Sequence, residues 1–303
     1  MILMDIYIDD GRLGNIRTAF GFGIVSGITT NPSLLAEAAK QLEGRDLDQY
    51  LREILSSDFL ADRPVSLQVP GGDTETMYSQ AMKAWERYRY CGSRLVIKIP
   101  INPSLRGDGE LDRDGLKTVD RLSDEAIPVN VTLIMTPSQA LAAADAGARY
   151  VSPFAGRIDD YLRERAGRAF GKGDYFPAGG DPQLGDDGYG SVSGVHLVKG
   201  CVQRLMGYPD TKVLAASTRN ARQLWEFEQV RARITTAPLP VIEEWNKVRV
   251  QPIDPEWRRG IRGFVEFEER ELFHDLVHPK TIEGMQKFTR DVREVRGYVE
   301  LFS

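Results

Sequence analysis

Short, β-branched apolar runs alternate along this chain with longer amphipathic stretches, the pattern of repeated βα units around a parallel sheet. Strands are predicted near Leu3–Ile8, Ile24–Ile28, Pro64–Val69, Arg94–Ile99, Pro128–Ile134, Arg149–Pro153, Lys212–Ala216 and Val230–Ile234. Several are apolar almost throughout (LVIKI, VNVTLI, RYVSPF), as strands buried on both faces should be. Helices are predicted over Pro32–Lys40, Asp73–Tyr90, Asp112–Leu122, Pro137–Ala146, Gly200–Met206 and Arg219–Phe227. Asn31-Pro32 and Thr136-Pro137 each place a capping side chain before a proline at the first helical position. Eight strands with helical crossovers predict an α/β chain folded as a (β/α)8 TIM barrel. An open doubly wound sheet would carry a Gly-rich nucleotide loop after its first strand. The glycines of GFGIVSG (Gly21, Gly23 and Gly27) precede a strand instead, with the wrong spacing.

A barrel of this kind takes about 250 residues, and the chain has 303. Two segments outside the repeat hold the surplus. Residues 167–194 carry nine of the 29 glycines and no periodicity, which predicts an irregular insertion after the sixth strand. Either it is a surface excursion, or it is a lid on the barrel's catalytic face. The tail, 238–303, reads as helices with charged faces, the last spanning roughly Lys280–Phe302, expected to pack on the outer wall of a single barrel domain covering 1–303.

Composition narrows the class. With 42% hydrophobic residues the chain can build a large core, and its net charge of −5 argues against nucleic acid as a partner. No apolar run is long enough for a membrane span, and MILMDIYIDD has acids where a leader peptide would have lysine or arginine. Two cysteines, Cys91 and Cys201, make no disulfide framework. These features predict a cytoplasmic enzyme. His274 and His278 stand at i, i+4 without HExxH or a cysteine partner, and are read as a surface helix pair rather than a metal site. The sequon Asn130-Val131-Thr132 falls in a predicted core strand and is set aside. The acidic run Glu266–Glu271 is read as a solvated helix face.

Polar residues gather at one end of the predicted strands, where a barrel keeps its chemistry. Strand one ends at Asp9, strand two at Thr29-Thr30-Asn31 and strand three at Gln68. Strand four carries Lys98, strand five Asn130 and Thr132, strand six Ser152, Phe154 and Arg157, and strand seven Ser217 and Arg219. An isolated buried Thr or Asn is usually a satisfied core group; seven strands delivering polar groups to one end point to a site. Lys98 interrupts LVIKIPI. Desolvation lowers an amine's pKa and yields a nucleophile able to attack a carbonyl. A Schiff-base enzyme also needs an acid/base, and Asp9 is the carboxylate at the same opening, with Asp10 the better candidate for capping the first helix. Asn31 and Asn130 can donate to substrate hydroxyls. Arginine's fork suits phosphate, so the Ser152/Arg157 and Ser217/Arg219 sets read as a clamp. Asp159 and Asp160 are the carboxylates that could pair with these arginines instead, Arg157 more readily than Arg219.

The segments IYIDD, GITTNPSLL, VSLQV, LVIKIP, NVTLI, YVSPFAGRIDD and LAASTRN follow one another in the order of the transaldolase family, a branch of the Schiff-base aldolases, which the chain resembles. TIEGMQKFTRDVREV also looks like the closing helix of the longer transaldolases. The resemblance implies that Lys98 forms the Schiff base and Asp9 is the acid/base. It implies that Asn31 and Asn130 hold the dihydroxyacetone unit, and that Thr132 holds the catalytic water. Ser152, Arg157, Ser217 and Arg219 would contact phosphate, with Thr29 in the same pocket. It implies sugar-phosphate substrates, no metal or organic cofactor, a role in carbohydrate metabolism (the pentose phosphate pathway first) and a homo-oligomer, a dimer foremost. Gln68 departs from the glutamate usual in transaldolases and matches fructose-6-phosphate aldolase, a short relative that releases free dihydroxyacetone. Phe154 sides with transaldolase. A glycerone transferase is therefore expected first, an aldolase second, and a sugar-phosphate-binding barrel without catalysis third.

Overall fold

In a computed structural model describing residues 4–42, 46–101, 113–252, 254–261, 276–295 and 297–302, eight parallel strands close into a barrel in sequence order. They are β1 (Asp5–Asp9), β2 (Val25–Thr29), β3 (Pro64–Gln68), β4 (Arg94–Pro100), β5 (Val129–Ile134), β6 (Tyr150–Pro153), β7 (Lys212–Ala215) and β8 (Ile234–Ala237). Pairing of β1 with β8 closes the ring, with Asp5 opposite Ile234 and Ile8 opposite Ala237. The chain is a (β/α)8 TIM barrel.

Helices follow the strands: α1 (Leu13–Gly21), α2 (Pro32–Ala39), α3 (Leu47–Leu55), α4 (Thr74–Tyr88), α5 (Asp114–Asp124), α6 (Pro137–Asp145), α7 (Ala155–Arg165), α8 (Gly194–Arg204), α9 (Ala221–Gln229), α10 (Leu239–Val248), α11 (Pro255–Ile261) and α12 (Pro279–Glu294). The two Pro-led starts are as read: Asn31 caps α2 through Leu34 N, and Thr136 caps α6 through Gln139 N. Among the described residues, no helix is long and apolar enough to cross a membrane.

Alternation along the strands sorts the barrel interior into layers. Outward positions such as Ile8, Ile28, Val65, Leu67, Ile97, Val131 and Val151 are buried in one continuous core with the surrounding helices. Among the inward positions, Tyr7, Val96, Tyr150, Leu214 and Ile234 form a separate middle layer. Two residues toward the strands' C-terminal ends lie Asp9, Lys98, Ser152 and Thr236; two residues the other way lie Asp5, Arg94 and Lys212.

Several elements depart from the sequence reading. The eighth strand begins at Ile234, where it was expected to finish. Val230–Arg233 belong to the turn leaving α9, with Arg231 at φ 64°. The apolar pair Val230 and Ala232 is buried in that turn, so alternation there imitates a strand. Helix α8 starts at Gly194 rather than Gly200, because Ser193 caps it and Gly194 packs against the Ala155 backbone, where any side chain would collide. Helices α1, α3 and α7 were not delimited from the pattern. The last predicted helix is two elements, α12 and a short 3₁₀ turn at Val299–Phe302.

Helix α12 reaches the C-terminal rim of the barrel. Thr281 Oγ1 donates to the Leu133 carbonyl at 3.0 Å, Gly284 lies against the Leu133 side chain, and Met285 approaches Gly71. Farther along, Lys287 Nζ donates to Ser33 Oγ (2.6 Å) at the start of α2. Leu133 itself has φ 62°, inside the register irregularity that ends β5.

Candidate active site

The residues predicted to carry chemistry come together at the C-terminal mouth. Asp10, immediately after β1, takes on structural work. Its carboxylate accepts from Arg12 N and Nε (2.9 Å each), Arg12 Nη2 (2.8 Å) and Asn15 Nδ2 (2.7 Å). Burial alone would raise the Asp10 carboxyl, and these donors hold it below its ordinary value. Asp9 is thereby left to face the barrel axis. Its Oδ1 accepts from Thr29 Oγ1 at 2.6 Å, and Thr29 shares a 2.6 Å hydrogen bond with Thr236 Oγ1. Desolvation pushes the Asp9 carboxyl up, against the pull of Lys98 and Thr29.

Lys98 is 3% exposed. In register it lies between Gln68 on β3 and Asn130 on β5. Its ammonium donates to the Thr30 carbonyl at 3.0 Å. Burial depresses its pKa from 10.5 to about 8, with Asp9 opposing; an appreciable fraction of this amine is therefore neutral near physiological pH, where a solvated lysine is charged.

Asn130 is fixed from both ends: its Nδ2 donates to Ser66 Oγ (3.1 Å) and its Oδ1 accepts from Ser152 Oγ (2.7 Å). Asn31 spends its carbonyl oxygen on the α2 cap, at 3.0 Å from Leu34 N, and keeps an amide to donate. Gln68 Oε1 and Thr132 Oγ1 are buried and, among the described residues, have no hydrogen-bond partner. Buried polar atoms are nearly always satisfied, so these two are suited to a ligand or water. Phe154 is partly exposed at the start of α7.

The arginines are arranged differently from the expectation. Arg219, rather than Arg157, pairs with Asp160: its Nη2 donates to Asp160 Oδ2 at 2.5 Å and to the Gly156 carbonyl at 2.8 Å. Its Nη1 donates to the Lys172 carbonyl of the insertion at 3.1 Å. The reason is local geometry. Gly156 has no side chain, and a Cβ there would lie 2.1 Å from Arg219 Nε, so the guanidinium can lie flat across the first turn of α7 and reach Asp160 one turn on. Arg157 points the other way, to Glu283 of α12 at 3.3 Å. Burial pushes the Asp160 carboxyl up, with Arg219 and Arg157 opposing. Ser217, at φ 61°, joins this corner through its carbonyl, which accepts from Gly156 N at 3.2 Å. Ser152 belongs instead to the Asn130 network.

The insertion is tied to this side of the barrel. Besides Lys172, its Gly173 carbonyl accepts from Asn220 Nδ2 at 3.1 Å, and Tyr175 and Ala178 N donate to the buried Glu226 of α9 at 3.0 and 2.9 Å. His278 is not a surface residue: it is fully buried, accepts from Lys280 N as the cap of α12, and contacts Tyr161 and Tyr189. His274 and the run Glu266–Glu271 lie outside the described residues. Among the described residues no group of three or more His, Cys, Asp or Glu is placed to hold a metal ion.

Ser66 and Thr236 are parts of this site that sequence reasoning did not single out, whereas Thr30 was read at a strand end and Asp160 as a possible arginine partner. For Thr236 the signal was present, as ITTA, but misplacing the eighth strand put it beyond the strand's end.

The chain matches the family described as transaldolase/fructose-6-phosphate aldolase over residues 6–298. It is 35% identical over 246 residues to a probable transaldolase of Caldicellulosiruptor saccharolyticus, covering 80% of this chain and 90% of that one. A probable transaldolase of Anaeromyxobacter sp. strain Fw109-5 is 35% identical over 245 residues, with the same coverage. One from Symbiobacterium thermophilum is 30% identical over 299 residues, covering 98% of this chain and all of that one (100%).

Proposed function

The chain belongs to the transaldolase/fructose-6-phosphate aldolase family, and on that basis we propose that it is a transaldolase, moving a dihydroxyacetone unit from a ketose phosphate to an aldose phosphate. The observation that carries the reading is a buried lysine with a depressed pKa, facing the same mouth as a carboxylate whose pKa is raised. The neutral Lys98 amine attacks the ketose C2 carbonyl and, with loss of water, forms an iminium. Asp9 takes the C4-hydroxyl proton, the C3–C4 bond breaks, and the aldose departs. Its electron pair stays on the lysine-bound fragment as an enamine, held by Asn31 and Asn130. The enamine then attacks the aldehyde of the acceptor, Asp9 returns a proton, and water positioned by Thr132 and Gln68 releases the new ketose. The iminium is the electron sink, so no metal or organic cofactor enters. Ser217 and Arg219 bind phosphate, with Arg157 at the rim; Thr29, Ser152 and Phe154 shape the pocket. In this reading the enzyme is cytoplasmic, acts in carbohydrate metabolism, works with neither nucleic acid nor membrane, and is a homo-oligomer, a dimer in the simplest case.

Gln68 favours a second reading, aldol cleavage with release of free dihydroxyacetone, because an amide orients water but cannot take its proton. Borohydride reduction in the presence of fructose 6-phosphate, followed by peptide mapping, tests both. A mass addition on Lys98 is expected, and an unmodified Lys98 sinks every Schiff-base reading. Free dihydroxyacetone accumulating without an acceptor then separates aldolase from transferase.

A further inference from the structure

The other end of the barrel is also charged. Arg94 and Lys212 open β4 and β7 on the inward face, each two residues below an apolar member of the middle layer, Val96 and Leu214. Arg63 and Arg149 immediately precede β3 and β6. These four cations, from four strands, line one cavity of about 410 Å³ whose lining also includes Tyr7 and Tyr150. Burial keeps the Tyr7 phenol protonated, and it shares a side-chain hydrogen bond with Tyr150.

The cavity's carboxylates, Asp5 and Asp62, are fewer than its cations. Among the described residues, Arg149 pairs with the exposed Asp210 at 3.8 Å and donates to its carbonyl at 3.3 Å. Among the described residues, Arg63, Arg94 and Lys212 make no ion pair. A chain of net charge −5 has therefore gathered an excess of cations over carboxylates in one concave place. The cations also come in two pairs. Arg94 N donates to the Arg63 carbonyl, and Lys212 N donates to the Arg149 carbonyl, so Arg63 and Arg94 sit on the β3–β4 wall while Arg149 and Lys212 sit on the β6–β7 wall. Each wall thus contributes two cationic side chains to the cavity lining, and two cations can engage the oxygens of one phosphate group.

We propose that this cavity binds a small anion carrying two phosphate groups, one held by Arg63 and Arg94 and the other by Arg149 and Lys212. Such a ligand ties two walls of the barrel together at the end opposite the reaction mouth, so its binding stabilises the folded chain. The site does not depend on the transaldolase reading.

The test is thermal unfolding of the full chain at low ionic strength, titrated with pyrophosphate and, separately, orthophosphate. Pyrophosphate should raise the Tm and bind at least about tenfold more tightly than orthophosphate, since it engages both pairs. Arg94→Gln/Lys212→Gln should weaken pyrophosphate by about tenfold or more, the scale of one charge-assisted hydrogen bond. Arg219→Gln, at the opposite mouth, should leave that affinity unchanged. Wild-type affinity in the Arg94/Lys212 variant, equal affinity for the two anions, or loss of pyrophosphate binding in Arg219→Gln would each overturn the site. Arg63→Gln/Arg149→Gln, at two exposed positions, repeats the measurement should the first variant fail to fold.

Discussion

Lys98 is held where its charge is least welcome, with one carbonyl and one carboxylate for company. In the proposed reaction the neutral form is the reactive one, and its fraction grows as pH rises through about 8. The rate constant kcat/KM for ketose cleavage should therefore climb with pH and level off above about 8, with an apparent value belonging to the coupled Lys98–Asp9 pair. A profile flat from mildly acid to mildly alkaline pH would remove Lys98 as the nucleophile. Lys98→Met should lose turnover by a factor on the order of 10⁴ or more while unfolding at the same or a higher temperature, because a desolvated amine is exchanged for an apolar chain. Arg219 is a different kind of charge, paired before any substrate arrives. Its side chain and that of Asp160 are 14% and 9% exposed, so Arg219→Ala should cost about 2–4 kcal/mol by stranding the carboxylate. Adding Asp160→Ala should return part of that loss. Denaturant unfolding of both single variants and the double measures the coupling, and purely additive losses would show that the pair does not act as one.

Elements place these side chains, and the C-terminal segment does more of this than its sequence advertises. The Tyr298 hydroxyl donates to the Gln68 carbonyl at 2.7 Å. On the β2 side of the ladder Thr30 N serves the Ser66 carbonyl, and the next rung falls at Pro32, which has no N–H to give. A tyrosine more than two hundred positions away supplies the missing donor to the strand that carries Gln68. Tyr298→Phe should cost about 1–2 kcal/mol and lower activity more than a surface substitution of equal cost. Unchanged chemical denaturation would show that the carbonyl finds another donor. Helix α12 acts on β5 in the same way, through Thr281 and the Leu133 carbonyl, just after Thr132.

At the scale of the whole molecule, the insertion and the tail close on each other. Asp187 of the insertion accepts from Tyr189 N and Ser191 N, and its other oxygen lies 3.9 Å from His278 Nε2 at the start of α12. Burial pushes Asp187 up to about 7 and His278 down to about 3. For Asp187 the folded value lies above the ordinary 3.8, so its contribution to stability is complete below about pH 4 and is lost as pH rises through about 7. For His278 the sign reverses: the contribution is complete above about 6.5 and is lost as pH falls toward 3. Asp187→Asn keeps the backbone acceptor without the buried charge. Its Tm should therefore gain on wild type as pH rises from about 4 to about 7, and a pH-independent difference would mean that Asp187 does not titrate in the folded chain.

The one-dimensional pattern was enough for whatever depends on neighbours along the chain. Alternation located seven of the eight strands within a residue or two, and the polar positions at their ends were already those that meet at the barrel's mouth, because a strand's inward face repeats every second residue. It failed where the cause lies far away in sequence. The buried turn at Val230–Arg233 looks like a strand because its apolar pair packs as a strand's would, and only the register with β1 shows where β8 begins. Arg219 could not be matched to Asp160 from spacing, since the match depends on the absent side chain of Gly156. Charges four residues apart advertise themselves, whereas charges on four strands, such as Arg63, Arg94, Arg149 and Lys212, become one cavity only when the barrel closes. Composition and periodicity determined the barrel and the lysine at its mouth; closure, which brings distant residues into contact, decided which of those charges are paired and which are gathered without a partner among the described residues.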